Sequence, residues 1–246
     1  MSILNEFAIQ LYSVKDATDK DFIGTLQKLG RNGMGFTGVE FAGYGGLSSA
    51  EMKKALDETG LNPIGSHVGL DRLEHALDEE IEFHKAIGAE YIICPMAAME
   101  TKSDAIALAE KLTPIAHKIT AAGLKFGYHN HAHEFAVCEG EYLLDILFKH
   151  LPPTAVMELD IYWSTYAEVD SLAYMEKHRA RLELLHVKQI DKDKNNVDLA
   201  KGIIDFKDVI PRAQAMGVKH FILEQERHTF TSLASVENCI KYIMSM

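Results

Sequence analysis

The chain has 246 residues, of which 47% are hydrophobic and 25% are charged. This is an ordinary globular composition, with enough residues to bury a large core. The formal net charge is −11, and no run of Lys or Arg forms a local basic patch. A phosphate backbone would be repelled on average, so the composition predicts no nucleic-acid binding and favours a small, neutral or metal-bridged ligand.

Neither a disulfide framework nor a membrane anchor is predicted. Cys94, Cys138 and Cys239 are far apart and show no C-x-x-C spacing, which favours free thiols in a reducing compartment. The N-terminal stretch lacks the features of a signal peptide. No apolar run approaches the roughly 20 residues that a membrane helix needs. We therefore expect a cytoplasmic protein with no membrane partner.

Short strand-like runs alternate along the chain with segments whose apolar residues have helical spacing. In chain order, the predicted strands are residues 7–13, 37–44, 61–68, 89–96, 124–131, 155–163, 182–190 and 220–226. Several helical segments end in a glycine shortly before a strand, where glycine adopts the left-handed conformation at little cost. These glycines are Gly60, Gly88, Gly123 and Gly217.

An uninterrupted alternation of strand and helix predicts an α/β protein with a parallel sheet. Eight such units in a chain of this length match a single (β/α)₈ TIM barrel. The competing architecture, an open doubly wound sheet, usually carries a glycine-rich phosphate loop after its first strand, and none follows residues 7–13 here. No linker or change in composition interrupts the pattern. We therefore expect one domain over residues 1–246.

Polar and aromatic residues concentrate at the C-terminal ends of the predicted strands. In a TIM barrel these ends carry the catalytic side chains. In chain order the residues are Gln10, Tyr12, Glu40, His67, His129, His131, Glu134, Glu158, Asp160, Trp163, His186, Lys188, Glu224 and Glu226.

The spacing of these residues favours a metal ion at the barrel mouth. Side chains alternate between the two faces of a strand, so charged residues two apart share a face. Burying such groups costs several kcal/mol unless they are paired or bound to a cation. Each of the fifth to eighth strands presents a charged or imidazole side chain of this kind, and the ends of the four strands converge. Mostly oxygen ligands with one histidine suit one divalent ion, Mn²⁺, Mg²⁺, Co²⁺ or Zn²⁺.

Five motifs in this order resemble the sugar phosphate isomerase/epimerase superfamily, which has the xylose isomerase-like TIM barrel. They are QLYSV, YHNHAHEF, ELDIYW, LHVKQID and ILEQE, and the resemblance runs from Phe7 to Glu226. The resemblance implies a metal-dependent enzyme of carbohydrate metabolism, with manganese among the candidate ions. It implies as metal ligands Glu134, Asp160, His186 and Glu224.

The resemblance also implies that Glu134 and Glu224 form the proton-transfer pair. In the ketose 3-epimerase branch the first glutamate ligand lies within the fifth strand, whereas Glu134 follows the strand here. Either Glu134 or His131 then completes the metal shell. The predicted substrate-binding residues are Gln10, Tyr12, Glu40, His67, His129, His131, Trp163 and Lys188.

The expected reaction begins with removal of the proton α to a carbonyl that the ion polarises, giving an enediolate. Proton return to the opposite face gives epimerisation, return to the neighbouring carbon gives isomerisation, and loss of a β-hydroxyl gives dehydration. We predict an isomerase or epimerase of a keto sugar or related polyol. No glycine-rich phosphate loop lies near the last strands, which favours an unphosphorylated substrate. Barrels of this kind commonly associate, and a homo-oligomer is compatible with the sequence.

Three alternatives differ from this prediction. The nearest is a metal-dependent dehydratase or lyase acting on a keto-inositol, a 3-keto-sugar or a dehydroshikimate-like acid. The apurinic-site endonuclease branch of the same barrel needs three metal ions and a basic DNA face, which the acidic composition disfavours. The last is a non-catalytic sugar-binding subunit, which the complete set of predicted ligands disfavours.

Overall fold

Eight parallel strands close into a barrel in the computed structural model of the protein, which describes residues 6–228 and 230–246. In chain order they are β1 Phe7–Gln10, β2 Gly38–Phe41, β3 Asn62–His67, β4 Tyr91–Cys94, β5 Lys125–His129, β6 Val156–Asp160, β7 Leu182–Val187 and β8 His220–Leu223. Each strand pairs with its neighbours in the chain, and β1 closes the barrel by pairing with β8. The predicted (β/α)₈ TIM barrel is confirmed.

Helices surround the barrel and connect successive strands. They are α1 Lys15–Thr18, α2 Phe22–Leu29, α3 Ser49–Thr59, α4 Leu70–His75, α5 Leu77–Ile87, α6 Lys102–Ala121, α7 Leu143–His150, α8 Ile161–Tyr166, α9 Ser171–His178, α10 Phe206–Met216 and α11 Ser232–Ile243. As expected, α3 and α10 end at left-handed glycines, Gly60 (φ 69°) and Gly217 (φ 100°). Within the described ranges, no helix combines the length and apolarity needed to cross a bilayer.

The barrel interior is apolar towards the N-terminal ends of the strands. Its side chains form a separate buried cluster of Ala8, Tyr91, Ile93, Val156, Leu184 and Ile222. A much larger apolar cluster fills the space between the barrel and the helices. Since side chains two residues apart share a face, the same strands present polar side chains one layer closer to the mouth.

Glycines on three strands make room for the large residues of the interior layer. Gly38, Gly65 and Gly127 each lie two residues before a polar residue that faces the mouth. A Cβ atom on Gly127 would lie 2.5 Å from Ile93 Cδ1 and 2.9 Å from Val156 Cγ2. Gly127 therefore fixes the packing directly beneath His129.

We expect Gly127→Ala to lower the free energy of unfolding by about 1–3 kcal/mol, because the added methyl overpacks the interior. The matched control is Gly69→Ala. A Cβ there meets no atom within 4 Å, and the φ of Gly69 is −60°. It should change stability by less than about 1 kcal/mol. Urea denaturation measures both, and equal effects would contradict this packing argument.

Candidate metal centre

Charged side chains fill the barrel interior at its C-terminal end. Along β6, Val156 in the apolar layer is followed on the same face by Glu158 and Asp160, and both carboxylates have 0% exposure. His186, on β7, pairs in register with Asp160. Glu224 directly follows β8 and is 4% exposed. The strands thus bring together in space residues that are far apart in sequence.

Asp160 is positioned by the start of the next helix. Its Oδ1 accepts hydrogen bonds from the main-chain N–H groups of Tyr162 (2.7 Å) and Trp163 (3.3 Å), so Asp160 is the N-cap of α8. Its own N–H donates to Oδ1 of Asn130 (3.0 Å), which links the ends of β5 and β6. Oδ2 has no hydrogen-bond partner among the described residues. One carboxylate oxygen is therefore fixed by the fold and the other remains available.

Four residues form a group close to the mouth, which we call the upper group. It consists of His129, Asp160, His186 and Glu224, whose ligand atoms all lie within 4.8 Å of one another. Three of these four residues, Asp160, His186 and Glu224, are ligands predicted from the sequence. The fourth, His129, was predicted to bind substrate.

A second group, the lower group, shares two residues with the first and contains Glu158, which lies one side-chain layer below Asp160 on β6. It consists of His67, His129, Glu158 and His186. Oε2 of Glu158 lies 2.7 Å from His67 Nε2 and 3.1 Å from His129 Nδ1. Oε2 of the neighbouring Glu40 lies 2.8 Å from His186 Nε2 and accepts a hydrogen bond from Gln10 Nε2 at 2.7 Å.

Lys188 is the buried fixed cation of the upper group. Its Nζ lies 3.2 Å from Glu224 Oε2, 2.9 Å from Glu226 Oε1 and 3.6 Å from Asp160 Oδ2. It also lies 5.0 Å from the centre of the Trp163 ring. Lys188 has 0% exposure, so it partly compensates the buried carboxylates without water.

Two of the buried carboxylates resist ionisation. Burial and the charge of Glu158 raise the pKa of Glu40 to about 7. Burial also raises the pKa of Asp160 to about 7, despite the nearby Lys188. Burial opposes ionisation of Glu224 too, but Lys188 and His186 hold its pKa well below the usual value. A cation bound at the upper group would favour the ionised form of Asp160.

The histidines differ in protonation. Burial lowers the pKa of His129 well below its ordinary value and that of His131 to about 4, so both are neutral near pH 7. Burial also disfavours protonated His186, but Glu158 and Glu40 raise its pKa well above the ordinary value. A metal ion binds the neutral imidazole and would displace that proton.

The donor set fits a divalent metal ion. Among the described residues, Asp160 Oδ2, Glu158 Oε1 and Glu40 Oε1 are buried without a hydrogen-bond partner. Such oxygens are costly to bury unless a cation or a donor reaches them. Two imidazoles and two carboxylates in the upper group suit Zn²⁺, Mn²⁺ or Co²⁺.

The structure does not bring Glu134 into either group. Glu134 lies on a short 3₁₀ turn, His133–Phe135, after β5. Its Oε1 accepts a hydrogen bond from the hydroxyl of Tyr128 (2.9 Å), and its Oε2 accepts one from the main-chain N–H of His131 (2.8 Å). Both oxygens are occupied by donors from the same segment. His131, the alternative fourth ligand, is also outside both groups, and its ring lies 5.2 Å from that of Trp163.

A cavity of about 380 Å³ opens above the upper group. Its lining includes five of the predicted site residues, namely Tyr12, His67, His129, His131 and Glu224. Gln10, Glu40 and Lys188 lie beneath or beside it and are fully buried, and Trp163 is half-buried. Lys15 and Met96 also line the cavity but were absent from the sequence-based set. Met96 lies two residues beyond the end of β4 and has the parity of Cys94, which packs outside the barrel interior, so parity alone could not have identified it.

Comparisons with known proteins agree with this architecture. A family model described as xylose isomerase-like TIM barrel matches residues 32–243. The structure of a sugar phosphate isomerase/epimerase from Parabacteroides distasonis is 26% identical, with a TM-score of 0.87 and 98% of each chain covered. A second such protein from that species is 22% identical, with a TM-score of 0.82, covering 97% of this chain and 93% of its own.

A more distant structure contains a metal. The IOLI protein, solved with a bound zinc atom, is 11% identical, with a TM-score of 0.75 and 98% of each chain covered. No curated protein matches the sequence at a significant level.

We expect Lys188→Met to lower the free energy of unfolding of the metal-free protein by about 3–5 kcal/mol, because it leaves buried carboxylates without their cation. Lys149→Met removes an exposed lysine that is 3.5 Å from Glu141 and should cost less than about 1 kcal/mol. Urea denaturation after treatment with a chelator compares the two. Equal stability of the two variants would show that Lys188 does not compensate the site.

Proposed function

Because the chain belongs to the xylose isomerase-like TIM barrel family, we propose that it is a divalent-metal-dependent isomerase or epimerase of a keto sugar or related polyol. The observation that supports this most directly is the upper group, in which two imidazoles and two carboxylates from four strands converge beneath a cavity. The sequence similarity to the Parabacteroides distasonis isomerase/epimerase supports the same class of reaction.

His129, Asp160, His186 and Glu224 would bind the ion in this proposal. The ion would act as a Lewis acid on a substrate carbonyl and favour loss of the neighbouring proton. The protein supplies a site in which Asp160 is fixed by the start of α8, and Glu224 by contacts with His186 Nδ1 (3.2 Å) and Lys188 Nζ (3.2 Å). Such preorganised charge acts most strongly where water is excluded.

Glu224 is the proposed proton acceptor. It lines the cavity, and Lys188 and His186 keep its carboxylate ionised. A positioned carboxylate base contributes roughly 10²- to 10⁴-fold to the rate. Glu134 was predicted from sequence as the second proton-transfer group and as a ligand. It is 0% exposed and accepts a hydrogen bond from the Tyr128 hydroxyl. Both roles of Glu134 stay predictions, which the Glu134→Gln variant tests.

The cavity favours a small, unphosphorylated substrate. Among its described lining residues, Lys15 is the one fixed cation, and its Nζ is paired with Asp19 Oδ1 at 2.6 Å. Tyr12 and Met96 are half-exposed at the rim (50% and 56%) and offer apolar surface to a sugar ring.

Loss of the α proton also precedes dehydration, so a dehydratase would use the same residues. A reaction in D₂O separates the two outcomes by mass, because epimerisation adds deuterium and dehydration removes water.

We expect the purified protein to bind one divalent ion, and Asp160→Asn and Glu224→Gln to fold but lose the ion and more than about 100-fold of turnover. Asp208→Asn is the control, because it removes an exposed carboxylate 3.2 Å from Arg212 on α10. Elemental analysis and an assay of candidate ketoses measure both effects. Full metal content and activity in both site variants would exclude the proposed function.

Glu134→Gln tests whether this carboxylate binds the ion. Because both of its oxygens already accept hydrogen bonds within the β5 segment, we expect the variant to retain the ion. Loss of activity with full metal content would support a role in proton transfer alone. Loss of the ion to the same extent as in Asp160→Asn would instead support the ligand role that the sequence predicted.

A further inference from the structure

Two histidines lie between the upper and lower groups and face both. His129 Nδ1 is 3.1 Å from Glu158 Oε2, while its Nε2 is 4.0 Å from Asp160 Oδ2. His186 Nε2 is 2.8 Å from Glu40 Oε2, while its Nδ1 is 3.2 Å from Glu224 Oε2. Each ring therefore directs one nitrogen to a carboxylate of the upper group, Asp160 or Glu224. It directs the other nitrogen to a deeper carboxylate, Glu158 or Glu40.

The two nitrogens of a neutral imidazole cannot make the same kind of interaction. One nitrogen carries a proton and donates, and the other carries the lone pair that binds a metal. If an ion binds the upper group through His129 Nε2 and His186 Nδ1, the other two nitrogens must be N–H donors. Their acceptors are then Glu158 and Glu40.

The carboxylate that faces the cavity assigns the ion to the upper group. Both groups reach the cavity through histidines, but among their carboxylates Glu224 alone lines it. Glu158, the carboxylate of the lower group, has 0% exposure, and its Oε2 is in contact with His67 and His129. An ion held by Glu224 can therefore meet a substrate in the cavity.

The deeper carboxylates, Glu158 and Glu40, are held in place by further contacts. His67 Nε2 lies 2.7 Å from Glu158 Oε2 and 3.5 Å from Glu40 Oε2, so it connects the two carboxylates. Gln10 Nε2 donates to Glu40 Oε2 from the neighbouring strand. The lower carboxylates thus have little freedom to move, which is what orienting a ligand ring requires.

Resting on the proposed function, we propose that Glu158 and Glu40 are positioning residues, which hold His129 and His186 in the tautomer and orientation that bind the ion. They act through the imidazoles and touch neither ion nor substrate. Carboxylates that accept a hydrogen bond from a ligating histidine typically change metal affinity by 10- to 100-fold when they are mutated.

The test is a titration of metal-free protein with Co²⁺, followed by calorimetry and by the visible absorption of the bound ion. We expect Glu158→Gln to bind one Co²⁺ with an affinity reduced roughly 10- to 100-fold and with an altered absorption spectrum. Asp160→Asn should lose binding. Glu183→Gln is the matched control, because it removes a carboxylate paired with Lys125 at the start of β7, outside both groups, and should bind like the wild type.

Two results for Glu158→Gln would overturn the inference. One is an affinity and spectrum identical to those of the wild type. The other is complete loss of binding while Asp160→Asn still binds, which would assign the ion to the lower group. If Glu158→Gln does not fold, Glu40→Gln provides the same test through His186, with the same two outcomes. Failure of the wild-type protein to bind any ion would instead reject the proposed function.

Discussion

Several carboxylates lie buried near the barrel mouth, in contact with Lys188 and His186, and their burial governs both the stability and the chemistry of the protein. Glu40, Glu158, Asp160 and Glu224 are at most 4% exposed, and Lys188 is the buried fixed cation beside them. Like charges confined in this way are unstable unless protons or a cation neutralise them. Burial raises the pKa values of Glu40 and Asp160 to about 7, which shows the cost of ionising carboxylates away from water. A divalent ion in the upper group would offset that cost for Asp160.

The barrel itself makes that burial possible. Interior side chains are apolar at the N-terminal end and charged near the mouth, with one strand residue between successive layers. Gly127 and Gly65 leave space for the large apolar residues, so the layer above them sits on a close-packed base. Hydrogen bonds of Asn130 and the N-terminus of α8 then fix Asp160. Stability and site geometry arise from the same packing.

Much of this arrangement was predictable from sequence. All eight strands and the closed barrel follow from hydrophobic spacing and from the glycines that end the helices. The shared face of Glu158 with Asp160 follows from strand parity. Which residue of β7 lies beside each of them does not, because it depends on the register between β6 and β7, which shifts between Met157 and Glu158.

The segment after β5 was the hardest to predict. The chain leaves the strand at His129 and turns at His133–Phe135, so Glu134 faces Tyr128 and the His131 amide rather than the upper group. A one-residue change in where the strand ends decides which side chain faces the interior. Sequence alone does not fix that end, and His129 was therefore assigned to substrate binding rather than to the metal shell.

Anomalous diffraction at the absorption edge of the bound metal would locate the ion. We expect one anomalous peak in the upper group, about 2.0–2.2 Å from nitrogen atoms of His129 and His186 and oxygen atoms of Asp160 and Glu224. A peak between His67 and Glu158, or no peak in crystals grown with the metal, would contradict it.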